Sequence, residues 1–181
     1  QDAVKTFLVI DQEEEYISDT GSVIRANPCD CFEVEVEIGF NSPVLPDQKA
    51  RLGKLEEFPE AVAHSRTFVF VREIEPLLNM NLIRGGDLKN AIVIYDRVIS
   101  QESMDALTEK LQQQTLDASQ LGYLSGPLLF DNEPARHKLL DVIGDLALVG
   151  HPIKGRIVAK YPGHKVNTEF ANFLRTKYIN H

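Results

Sequence analysis

The chain has 181 residues, 43% hydrophobic and 25% charged, a composition that suits a soluble globular protein with a sizeable core. Its formal net charge of −8 argues against a nucleic-acid binder. No apolar run reaches bilayer-spanning length and no basic-then-apolar leader opens the chain, so a cytoplasmic setting is expected. The charge is uneven: residues 151–181 hold six basic side chains against Glu169 alone, a net of +5, and the preceding 150 carry −13. Such a basic end reads either as a solvated helix or as a face for an anionic ligand.

The elements come in mixed order. Thr6–Ile10 reads as a strand, and Asp19-Thr20-Gly21-Ser22 as a turn between two short strands. Cys29 and Cys31 are the only cysteines; Cys-x-Cys without further partners is a weak metal motif, and they are expected to be structural thiols in a reducing compartment. Phe32–Ile38 alternates apolar and acidic residues, the pattern of a strand with one buried and one wet face, expected in an antiparallel sheet. Pro43, Pro46 and Pro59 punctuate a loop-rich stretch leading to a short helix near Pro59–His64.

Thr67–Val71, a helical segment over Glu73–Asn79 and Ala91–Tyr95 compose a βαβ unit, with Gly85-Gly86 in a sharp turn before the second strand. The glycine pair lacks the spacing of a nucleotide-binding loop. An amphipathic helix is expected over Gln101–Gln114, extended chain over Gly122–Leu129, a strand over Gly155–Lys160 and a last helix over Asn167–Tyr178. Pro162 and Gly163 form a turn that puts His164 at a loop tip.

Between Phe130 and Leu146 lies a helix with a marked start. Asp131 or Asn132 can cap it, Pro134 suits its first turn, and Leu139, Leu140, Val142, Ile143 and Leu146 form its buried face. His137, Asp141 and Asp145 follow one another at intervals of four, about 40° apart around the axis, so an imidazole and two carboxylates share one stripe. His and Asp at i and i+4 can ligate one ion, but a catalytic zinc takes three protein ligands, and the same spacing also makes an ordinary surface ion pair.

The run Phe130-Asp-Asn-Glu-Pro-Ala-Arg-His-Lys-Leu-Leu-Asp-Val-Ile-Gly-Asp-Leu146, with Ser65-Arg66-Thr67-Phe68 before it and Gly163-His164 after it, resembles the zinc-dependent UDP-3-O-acyl-N-acetylglucosamine deacetylases of bacterial lipid A biosynthesis. The likeness extends over the whole chain, includes Gly85-Gly86 and Ala91–Ile94, and corresponds to the second of that family's two domains. It implies an α+β, two-layer fold: a mostly antiparallel sheet on two principal helices, with a βαβ insert over about residues 67–95.

The resemblance further implies that His137 and Asp141 ligate zinc. Asp145 would orient a catalytic His164, and Thr67 would stabilise the oxyanion. Lys138 and Phe68 would contact the substrate, UDP-3-O-acyl-N-acetylglucosamine, with Gly85, Gly86 and Ala91 in the insert that passes its acyl chain. The basic end of the chain would assist with the diphosphate. In the family the first domain supplies the third zinc-ligating His and an adjacent Glu base. His64, His151 and His181 lie in no comparable motif, so the chain alone is expected to hold an incomplete site and not to turn over substrate. The alternatives are a metal-free acyl or nucleotide-sugar binding module and a structural or interaction domain.

Overall fold

The computed structural model describes residues 6–74, 91–110 and 116–179, which form two compact units. The first comprises residues up to Ile38, Asp47–Ser65 and Ala135 onward; the second comprises Gly39–Pro46 and Arg66–Pro134.

The first unit is built on a six-stranded mixed sheet. Its strands are β1 (Leu8–Val9), β2 (Glu14–Ile17), β3 (Val23–Asn27), β4 (Phe32–Ile38), β5 (Gln48–Leu52) and β9 (Ile153–Lys160), in the order β2-β3-β9-β4-β5, with β1 joined to the start of β9. β2, β3 and β9 pair antiparallel, as do β4 and β5, whereas β4 and β1 each run parallel to β9. The antiparallel setting expected for β4 therefore holds on one edge only. Its partner on the other edge comes from the far end of the chain, and strand direction across so long a connection is set by tertiary packing.

The alternation in β4 does what its pattern requires. Val34, Val36 and Ile38 are buried, and the register puts Ile157 and Ala159 of β9 and Ala50 and Leu52 of β5 beside them. On the opposite face, Glu33 pairs with Arg51 at 2.8 Å, Glu35 with Arg156 at 2.9 Å, and Glu37 with Lys49 at 3.1 Å and Lys160 at 3.4 Å. Like-charged neighbours along one strand face are thus separated by cations from both flanking strands.

Gly155 in β9 is required by close approach. A Cβ there would lie 2.6 Å from Ile10 Cγ1, and the Gly155 N–H donates to the Cys31 carbonyl at 3.0 Å.

Two principal helices pack against this sheet: α3 (Glu133–Leu146) and α4 (His164–Tyr178), following the short α1 (Phe58–Ala61) and, in the second unit, α2 (Gln101–Lys110). Leu139, Val142 and Leu146 of α3 and Val166, Phe170, Ala171 and Leu174 of α4 are buried, the helical repeat of a core-facing stripe. The architecture is α+β, as expected. Pro134 stands second in α3, where its missing N–H costs no internal bond. Gly150, at φ +84°, ends the 3₁₀ turn that follows the helix and turns the chain toward β9.

The second unit holds a three-stranded sheet. β6 (Thr67–Phe70) and β7 (Ala91–Tyr95) are parallel, and β8 (Gly122–Tyr123) is antiparallel to β7. Parallel neighbours need a crossover; the helix proposed for it over Glu73–Asn79 and the Gly85-Gly86 turn lie largely outside the described residues, with 71–74 helical. Of the extended chain expected over Gly122–Leu129, only the two residues of β8 are strand. Phe70, Ile92 and Ile94 are buried on one face of the sheet and Val71, Val93 and Tyr95 on the other. Tyr95 satisfies its buried hydroxyl by donating to the Ala118 carbonyl at 2.6 Å and accepting from the Ile99 N–H at 2.9 Å.

Candidate active site

His137, Lys138, Asp141, Asp145 and His164 lie together in the first unit. The three-member stripe on α3 exists as its spacing requires, and Ala135, Leu139, Val142 and Leu146 anchor the rotation of the helix that presents it.

The orientation of His137 comes from outside its own helix. Its Nδ1 lies 3.2 Å from the backbone carbonyl of Ser65. A carbonyl can only accept, so Nδ1 carries a proton, and in the neutral imidazole the lone pair is then on Nε2. That Nε2 lies 3.5 Å from Asp141 Oδ1. Two donors on a tetrahedral zinc with bonds of 2.0–2.1 Å stand about 3.3–3.4 Å apart, close to the separation of this pair.

Asp141 is buried, with 8% of its side chain exposed, and a carboxylate there must be compensated. Lys138 Nζ donates to its Oδ2 at 2.9 Å, one helical turn back. Lys138 is therefore held at the carboxylate of the stripe and itself is mostly covered, with 20% exposure.

His164 is the first residue of α4, not the loop tip expected from Pro162-Gly163. The turn is made earlier, at Tyr161, whose φ of +53° is unusual for a residue with a Cβ; its N–H is pinned to the Glu37 carbonyl at 2.8 Å. The helix can then begin directly after Gly163. From this position His164 Nδ1 meets Asp145 Oδ2 at 2.9 Å, and its Nε2 lies 3.9 Å from Asp141 Oδ2. One imidazole thus stands astride both carboxylates of the stripe, with 70% of its side chain exposed.

Asn167 went unnoticed in the sequence. It is fully buried, one turn along α4 from His164, and its Nδ2 donates to the same Asp145 Oδ2 at 2.9 Å. A buried Asn at an otherwise apolar helix position, three residues after a candidate catalytic His, is the signal that could have found it. Asp145 also stands at the N-terminal turn of α4, where the helix dipole favours negative charge. Ser65 was equally invisible, because its contribution is a backbone carbonyl.

The remaining expected residues belong to the second unit. Thr67 opens β6, solvent-exposed, with Ala91 as its cross-strand partner. Phe68 is half-buried and packs edge-on against Phe40, at 5.3 Å between centroids, and against Phe70, at 6.3 Å. Gly85 and Gly86 lie outside the described residues.

Arg66 and Glu133, in the same unit, form a buried ion-pair network. Glu133 is completely buried. It accepts from Arg66 Nε at 2.9 Å, Arg66 Nη2 at 2.9 Å, the Arg66 N–H at 3.0 Å and the Leu129 N–H at 2.6 Å. Burial pushes this carboxyl up, but the Arg66 guanidinium and the backbone donors outweigh it and hold Glu133 below the usual carboxylate range.

The basic end of the chain is engaged within the protein. Arg156 and Lys160 pair with β4, Lys165 with Asp19 at 3.3 Å, and Lys177 with Glu14 at 2.7 Å. Four of the six cations therefore answer acids of the earlier chain.

The chain belongs to the LpxC family, described as UDP-3-O-acyl N-acetylglycosamine deacetylase, whose family model matches residues 1–122 and 112–176. It is 52% identical over its full length to a bifunctional enzyme LpxC/FabZ of Bacteroides thetaiotaomicron, of which it covers 40%. It is 47% identical to the bifunctional LpxC/FabZ of Porphyromonas gingivalis over 97% of this chain and 38% of that protein. Over 91% of this chain it is 38% identical to a UDP-3-O-acyl-N-acetylglucosamine deacetylase of Anaeromyxobacter dehalogenans, covering 46% of it. The chain thus spans less than half the length of these relatives. Among the described residues, no helix is long and apolar enough to cross a membrane.

Proposed function

We propose that this chain is the second domain of a zinc-dependent amidohydrolase that removes the N-acetyl group from UDP-3-O-acyl-N-acetylglucosamine in lipid A biosynthesis. The β6–β7 region over about residues 67–95 is the insert of that domain. The observation that carries the reading is the Ser65 carbonyl on His137 Nδ1, which leaves Nε2 as the donor 3.5 Å from Asp141 Oδ1. That is the outer-shell arrangement by which metal-binding histidines are oriented.

In this reading His137 and Asp141 hold zinc, and the third protein ligand and the general base come from a part of the longer protein outside this chain. The ion, when bound, polarises the substrate carbonyl and makes water a competent nucleophile at neutral pH. Lys138, held beside Asp141, offsets the charge of that carboxylate and gives a fixed cation for substrate.

His164 handles the proton. Its Nδ1–H donates to Asp145, so Nε2 is the atom that exchanges a proton with the substrate and delivers it to the leaving amine. Asn167 shares the same oxygen of Asp145 and keeps the carboxylate from rotating away. Thr67 supplies a hydroxyl to the developing oxyanion, a contribution of several kcal/mol in favourable sites. Phe68, Gly85, Gly86 and Ala91 belong to the region that receives the acyl chain.

The test uses the full-length protein. Zinc content and acetate release from UDP-3-O-acyl-N-acetylglucosamine are measured for the unmodified enzyme and for His137→Ala and Asp141→Asn. Loss of both zinc and acetate release in the two variants is expected; full zinc occupancy in both would overturn the ligand assignment.

A further inference from the structure

The two cysteines are not the buried structural thiols expected from composition. Cys31 is exposed, Cys29 is half-buried, and both are free thiols. Their sulfurs lie 3.6 Å apart, and Glu33 Oε1 stands 3.9 Å from Cys29 Sγ and 3.7 Å from Cys31 Sγ. Among the described residues this is the one group of three or more His, Cys, Asp or Glu side chains with donor atoms mutually within 4.8 Å. It shares no residue with the His137 stripe.

The spacing is compatible with three ligands of one ion. Zinc–sulfur bonds of 2.3 Å and zinc–oxygen bonds of 2.0–2.2 Å place tetrahedral S and S ligands about 3.8 Å apart, and S and O about 3.5–3.6 Å apart. The three edges, at 3.6, 3.7 and 3.9 Å, lie within about 0.4 Å of those values.

The frame around the donors is firm. Glu33 stands in β4, and its other oxygen, Oε2, accepts from Arg51 Nη2 at 2.8 Å, which leaves Oε1 turned toward the two sulfurs. The Cys31 carbonyl is tied to the Gly155 N–H at 3.0 Å, so the loop carrying the sulfurs is fastened to β9. Two thiolates and a carboxylate around a divalent ion leave one negative charge, beside the guanidinium of Arg51.

The geometry points to a second metal site on this chain, in which Cys29, Cys31 and Glu33 bind one Zn²⁺ as an S₂O set with the fourth position open to solvent. Thiolate donors select a soft or borderline ion over Mg²⁺ or Ca²⁺.

Cobalt(II) titration of the reduced full-length protein tests this, since a cobalt–thiolate charge-transfer band reports sulfur ligation and a His–Asp site cannot produce one. The band is expected to grow to saturation, to be bleached by Zn²⁺, and to vanish in Cys29→Ser/Cys31→Ser. Glu33→Gln is expected to weaken cobalt binding at least about tenfold. The double variant separates this site from any cysteine elsewhere in the longer protein, and circular dichroism establishes that it is folded. Absence of the band, or identical spectra for the unmodified protein and the double variant, would overturn the site. A Glu33→Gln affinity equal to that of the unmodified protein would overturn the three-donor set. Because only sulfur is read, neither result depends on whether His137 and Asp141 bind zinc.

Discussion

Asp145 Oδ2 accepts from His164 Nδ1 at 2.9 Å, joining the last acid of the α3 stripe to the first residue of α4. The contact fixes the His164 tautomer and leaves Nε2 outermost. Asp145→Asn keeps the size of the side chain but allows an amide to face the ring, with the wrong hydrogen-bond sense. In the full-length enzyme kcat is expected to fall about 10²–10⁴-fold, the scale of a lost general acid, with zinc content unchanged. Parallel metal analysis and steady-state kinetics check this, and loss of zinc in the variant would instead make Asp145 a ligand.

Asn167 is expected to act through Asp145. Asn167→Ala leaves one donor on that oxygen and opens a small buried space, so activity should fall less than in Asp145→Asn. Stability should drop by about 1–3 kcal/mol, the usual cost of breaking a buried polar contact. Urea unfolding together with the pH profile of kcat distinguishes this from a purely structural effect, which would leave the profile unmoved.

Arg66→Met strands the buried Glu133 carboxylate, and a loss of about 3–5 kcal/mol is expected from urea midpoints. The pH dependence has a definite sign. The folded-state pKa of Glu133 lies below its ordinary value of 4.5, so its contribution is complete above that value and is lost as pH falls through the depressed folded value. Acid titration of stability should therefore be shallower in Glu133→Gln than in the unmodified protein.

Gly155→Ala places a methyl group 2.6 Å from Ile10 Cγ1, with the rigid β9 backbone behind it. β1 must shift, at about 1–3 kcal/mol. Hydrogen exchange should show it locally: the Leu8 and Ile10 amides, which donate to the Pro152 and Lys154 carbonyls at 2.9 Å, should lose protection before β3 and β4 do.

Much of this protein was decided by short-range pattern. The period-2 alternation of Phe32–Ile38 made a strand with one buried face. The 3.6-period stripe from Leu139 to Leu146 made a helix and necessarily aligned His137, Asp141 and Asp145 on one side of it. The direction of each side chain around its strand or helix follows from backbone geometry alone. Other features belong to the tertiary structure. β4 runs parallel to β9 because strands whose partners, such as Phe32 and Gly155, are 123 residues apart meet in one sheet. His164 begins a helix because Tyr161 is anchored to Glu37, and Asn167 completes the Asp145 pair only once α4 packs beside α3. The Ser65 carbonyl on His137 and the Arg51–Glu33 contact beside the cysteines likewise join residues distant in sequence. Local spacing carries direction around one helix or strand, but no information about which distant donor will face it, and in this site the distant donors set the chemistry.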